Sequence, residues 1–207
     1  MFSHAVHRWV TSVSLVLYPA LLFLGFLTSP PGTDHEPWIY RAEAGKVQVS
    51  AVLLHWALVV LVFLIAGLAQ LTRDRRLGQA GAILGLIGMV NGAGLLIADF
   101  YDLALAQRLT DAQAQAVTVT VDGYAGYALG FLVPAFTGHA GLLLLLIALV
   151  RARIAPWWMP VLVVVGTVVP FLTTEQPPAV QALGPLLQLA AYGTLVPRVL
   201  RTRPEVA

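Results

Sequence analysis

"GAILGLIGMVNGAGLLIAD", residues 81–99, decides how this chain is read: it spends five of nineteen positions on glycine and carries one charge, at its end. Its length matches the roughly 20 apolar residues a helix needs to cross a hydrocarbon layer of about 30 Å. Gly81, Gly85, Gly88 and Gly92 recur at spacings of four, three and four, which at about 100° per residue places them on one narrow stripe. Asp99 continues that stripe, and Gly94 falls nearly opposite it. The stripe reads first as a close-packing surface for another helix, in this protein, in a partner membrane protein or in a second copy of the chain. The sharper reading is a groove open to the outside, with Asp99 at its mouth as an ion, proton or amine contact.

The composition around this stretch agrees with a membrane setting. Of 207 residues 58% are hydrophobic and 11% charged, and the mean hydropathy is +0.82, far from the balance of a soluble domain. The net charge is only +2, and the twelve Lys and Arg are scattered between apolar runs, so no basic patch suits a nucleic acid. The absence of cysteine removes disulfides, thiolate nucleophiles, and thiolate zinc and iron–sulfur sites.

Six apolar segments, at 9–28, 50–71, 78–99, 126–150, 156–174 and 179–200, predict an all-α polytopic bundle: one six-span membrane domain over 1–207. The first is expected to be a retained helix, since no small-residue cleavage site follows a short apolar core. Arg8, Arg73, Arg75, Arg76, Arg151, Arg153, Arg198, Arg201 and Arg203 fall on one side of this topology. Arg41, Lys46, Arg108 and most of the acids fall on the other. Lys and Arg are retained on the cytoplasmic side, so both termini are expected there. The outer loop around Trp38, Ile39 and Tyr40 suits an interfacial segment, and the loop after Asp102 opens helically and closes on the β-prone "VTVTV" at 117–121. The two basic hairpins look alike, yet no convincing repeat supports an inverted three-plus-three transporter.

The hairpins "ALVRARIAPWWMPVLVVVGTVVPFL" (148–172) and "GLAQLTRDRRLGQAGAILGLIGMV" (67–90) resemble the small six-span membrane proteins of unknown function common in high-GC actinobacteria. The resemblance is one of style, and it implies a bacterial cytoplasmic membrane without supplying a catalytic residue.

Polar groups inside apolar spans are costly and therefore candidates for function. His139 lies near the expected midplane, behind Pro134 and among small residues, as a satisfied core imidazole or as a proton relay, general base or haem ligand. His55 lies near the outer end of the second span, as an interfacial anchor or a partner of Asp99. Asn91 is expected to hydrogen-bond a neighbouring helix. Tyr18, Thr167 and Gln188 fall at similar depth and could form a polar layer with Asn91 and His139. Haem held by His55 and His139 requires two ligands of similar depth, and the counts differ by about eight residues, roughly 12 Å. No HExxH, GxSxG or aspartate-rich motif points to an intramembrane enzyme. The single lysine, Lys46, lies in a loop, which excludes a retinal Schiff base, and no span carries the repeated Arg of a voltage sensor. What remains is a helix-packing subunit, or a binder or transporter of a small amphiphile in an outward-facing cavity lined by His55, Asn91, Asp99 and His139. The competing class is an enzyme or redox protein centred on His139.

Overall fold

The computed structural model describes residues 4–30, 36–72 and 75–201. Among these residues the chain is helical, with no strand. The helices are α1 (His4–Thr28), α2 (Pro37–Ala42), α3 (Ala44–Leu71), α4 (Arg76–Leu95), α5 (Ala98–Arg108) and α6 (Asp111–Asp122). There follow α7 (Ala125–Tyr127), a π-helical turn (Ala128–Leu132), α8 (Val133–Arg151), α9 (Met159–Leu172), α10 (Pro178–Gln181), α11 (Leu183–Gly193) and α12 (Val196–Arg201). Five stretches are long and apolar enough to cross a membrane: Ala5–Thr28, Ala44–Leu71, Arg76–Arg108, Ala125–Arg151 and Pro178–Arg201. The sixth expected segment, 156–174, folds as the shorter α9 of 14 residues, about 21 Å long at 1.5 Å per residue. Pro156 to Trp158 are spent in a turn before it, and Thr173 caps it.

Three local features set the ends and the continuity of these helices. The third apolar segment does not end at Asp99. The helix breaks at Leu96 and Ile97, where the Ile97 N–H reaches the Gly94 carbonyl at 3.4 Å, and resumes as α5 with Asp99 in its first turn. The β-prone 117–121 is helical, because Thr110 and Gln113 form a reciprocal capping box that starts α6 and no strand lies among the described residues to pair with it. Pro134 does not break its helix. The carbonyl it leaves without a donor belongs to Gly130, inside the π turn, and the slip in register there keeps Ala125–Arg151 continuous.

Helix neighbours run in the order α8, α4, α3, α1, α11, α9, with α8 and α9 meeting over only a short stretch. The tightest pair is α4 with α8, and the glycine stripe is the reason. A Cβ on Gly81 would stand 2.6 Å from the Leu145 nitrogen and 2.7 Å from the Gly141 carbonyl oxygen, and one on Gly88 would fall into the Gly138 backbone. The expectation that Gly81, Gly85, Gly88 and Gly92 serve a partner protein or a second copy is therefore corrected. The stripe is filled by this chain's own α8 and, at Gly85, by Ile65 of α3. Gly94, on the other side, meets nothing within 4 Å.

The core is built from Leu61, Leu64, Ile65 and Leu68 of α3, with Leu15 of α1, Leu145 and Leu149 of α8 and Tyr192 of α11 around them. One end of the bundle gathers the basic turns. Arg8 Nη1 donates to the Leu200 carbonyl at 3.3 Å and Arg198 Nη1 to the Ile154 carbonyl at 2.5 Å. Thr11 against Gly67 and Gly81 against Leu145 bring the α3–α4 turn to the same end. Arg73 and Arg203 lie outside the described residues. The opposite end is capped by α2, α5 and α6. Arg41 of α2 donates to the carbonyls of Ala106 at 2.8 Å and Leu109 at 3.3 Å and pairs with Asp111 at 2.8 Å. Beneath it Tyr40, Val47, Leu103 and Ala106 form a small second core.

Candidate functional site

Under this cap lies a recess of about 240 Å³, where the ends of α1, α3 and α9 and the break at Leu96 converge with α2, α5 and α10. Its polar wall is made by Tyr40, Ser50, Asp99, Thr174 and Gln181, and its apolar wall by Phe26, Leu54 and Phe171 among others. Several polar groups are fixed by the fold. Ser50 Oγ donates to the Gly25 carbonyl at 2.9 Å, where the missing side chain of Gly25 leaves room for Leu54, which a Cβ there would meet at 2.6 Å. Gln181 Nε2 donates to the carbonyls of Thr174 and Gln176 at 3.0 and 3.3 Å, pinning the α9–α10 connection. Tyr40 is turned inward by its packing on α5, and its hydroxyl donates to Asp99 Oδ1 at 3.3 Å. The aromatics expected to lie at headgroup level divide accordingly: Trp38 faces out and Tyr40 faces in.

Among the described residues, Asp99 is the one charged residue in this wall. Its carboxylate, beside hydroxyl and amide groups, suits a cation or a strong hydrogen-bond donor. Among the described residues the wall holds no second carboxylate, imidazole or thiol to form an acid–base pair or an activated nucleophile with it. Among the described residues, no group of three or more His, Cys, Asp or Glu could hold a metal ion.

The other expected site residues divide among different places. His55 does not meet Asp99: its Nδ1 lies 3.1 Å from the Ala93 carbonyl and its ring stands edge-on to Trp56 at 6.1 Å. Asn91 bonds neither a neighbour nor the recess, since its Nδ2 donates to the Ile87 carbonyl of its own helix at 2.8 Å. His139 lines a separate groove between α8 and α9. The expected cavity uniting His55, Asn91, Asp99 and His139 is thus corrected to a recess holding Asp99 alone of the four. The two histidines face different neighbours, α4 and α9, and share no axial site.

The polar layer forms in part. Gln188 Nε2 donates to Thr167 Oγ1 at 2.9 Å, and Tyr18 packs edge-on against Tyr192, one turn after Gln188, at 6.0 Å. Tyr192 was missed, although its position four residues after Gln188 puts it on the same helix face. Asn91 stays outside this cluster. Gln188 Oε1 and the Tyr192 hydroxyl are buried without a hydrogen-bond partner.

The described residues thus form an all-helical protein with five stretches long and apolar enough to cross a membrane and a small acid-bearing cavity at one end. No family model, curated protein or solved structure matches the chain.

Proposed function

We propose that the protein is a six-span protein of a bacterial cytoplasmic membrane, both termini cytoplasmic, that binds a small cationic amphiphile by its head in the outward-facing recess under α2. The distribution of basic residues supports the orientation, with α9 as the short sixth crossing. The observation that carries the binding role is the carboxylate of Asp99 in the wall of the recess, beside the hydroxyls of Tyr40 and Ser50. At about 240 Å³ the recess is smaller than the roughly 300–1,000 Å³ of drug-sized sites, which suits a head group whose tail leaves along Phe26 and Phe171. Occupation of the glycine stripe by α8 weighs against a subunit that docks partners through it.

The test is binding of an alkyltrimethylammonium and an alkyl sulfate of equal chain length to the protein in lipid nanodiscs. A quaternary ammonium donates no hydrogen bond, but its charge about 5 Å from a carboxylate at an effective dielectric of about 20–40 gains roughly 1.5–3 kcal/mol, or about ten- to a hundredfold in Kd. The cationic probe should be preferred by that factor, and Asp99→Asn should erase the preference while His139→Leu keeps it. Equal binding of both probes by the wild-type protein would refute the reading.

A further inference from the structure

The second cavity of the molecule belongs to a different part of the fold. Helices α8 and α9 follow each other in sequence, yet α8 packs mainly on α4 and α9 on α11. The open seam between them is a groove of about 210 Å³ lined by His139, Leu142, Leu143 and Leu146 of α8 and by Val163, Val164, Thr167 and Val168 of α9. It lies midway along both helices, and the exposed Phe136, Val164 and Val168 on its flanks face what a membrane would fill with hydrocarbon.

Two polar side chains interrupt this surface, and they differ in what they have left to offer. The Thr167 hydroxyl donates to the Val163 carbonyl at 2.9 Å and accepts from Gln188 at 2.9 Å, so both its roles are taken. The His139 Nδ1 is buried without a hydrogen-bond partner. A neutral imidazole carries one N–H and one lone pair, and a hydroxyl, which both donates and accepts, can match either. No water competes for the ring nitrogens in a hydrocarbon layer.

We infer that the groove between α8 and α9 is a second, membrane-level binding site for a neutral apolar alcohol, whose hydroxyl forms a hydrogen bond with His139. The inference is independent of the Asp99 recess. A bilayer acyl chain would fill the same volume but leave the imidazole unmatched, so the hydroxyl is what separates the two occupants.

The experiment is photolabelling of the full chain in nanodiscs with a medium-chain alkanol carrying a diazirine, beside the same diazirine alkane without the hydroxyl, and mapping of the adducts by mass spectrometry. The alkanol should label residues of this groove, excess unlabelled alkanol should compete, and the alkane probe should show no preference for it. His139→Leu should lower groove labelling about three- to tenfold, the worth of one hydrogen bond. Val164→Trp, which fills the groove from a partly exposed position, should abolish it with His139 intact. Equal labelling by both probes, or labelling unchanged in His139→Leu, would assign the groove to acyl chains and overturn the proposal. The comparison of the two probes on the wild-type protein decides the matter even if a variant fails to fold.

Discussion

Alanine placed at two glycines of α4 should change stability in opposite directions. At Gly81 the added methyl would stand 2.6 Å from the Leu145 nitrogen, whereas ordinary contact begins at 3.4 Å, so α4 and α8 must part by about 0.8 Å (3.4 − 2.6) at that point. The neighbour is backbone and cannot rotate away. A gap of 0.5–1 Å forfeits about a quarter to a half of the dispersion attraction of the atoms it separates, and overpacking of this kind costs about 1–3 kcal/mol. Gly94 has nothing within 4 Å, so Gly94→Ala adds no clash and removes unfolded-state freedom, a gain of about 0.5 kcal/mol near a helix end. Unfolding free energies in mixed micelles, followed by circular dichroism, would measure both. If Gly81→Ala matched or exceeded the wild type, α4 and α8 would not be in backbone contact and the packing account would fail.

Other expectations are narrower. Tyr192→Phe removes a fully buried hydroxyl that has no partner, so it should stabilise the protein by up to about 1 kcal/mol; a clear loss would mean that the hydroxyl is bonded. Arg153 sits at φ 61°, where the turn after α8 sends the Ile154 N–H back to the Leu149 carbonyl. Arg153→Gly should therefore gain about 1 kcal/mol in the same assay. Arg41→Ala should raise hydrogen exchange in residues 37–42 while changing global stability by under about 1 kcal/mol, because its ion pair with Asp111 is half exposed. Uniform exchange in both proteins would show that Arg41 does not tether α2.

Much of this was legible in the sequence, for physical reasons. Hydropathy finds long apolar helices because the cost of burying charge in lipid acts on every position of a span. It overestimated the segment at 156–174, where Pro156, Trp157 and Trp158 are apolar yet form a turn. Helical periodicity placed the four glycines on one face, but could not name the helix that fills it. The complementary Gly138 and Gly141, three apart on α8, were the available signal. The site was less legible because its walls come from six separate helices. Asp99 stood out as a charge after an apolar run, whereas Ser50, Thr174 and Gln181 are ordinary polar residues until the fold brings them together. Pairing His55 with Asp99 rested on depth alone, and depth does not specify which helix face a side chain occupies.

The absence of native cysteine makes the most direct test possible without background. Thr174→Cys, in the wall of the recess, and Arg151→Cys, at the basic end, would each be exposed in intact cells to a membrane-impermeant maleimide, with and without an alkyltrimethylammonium ligand. The account expects Thr174→Cys to label from outside and to be protected by the cationic ligand but not by an alkyl sulfate, and Arg151→Cys to label only after permeabilisation. Labelling of Arg151→Cys from outside, or no protection of Thr174→Cys by the cation, would contradict it.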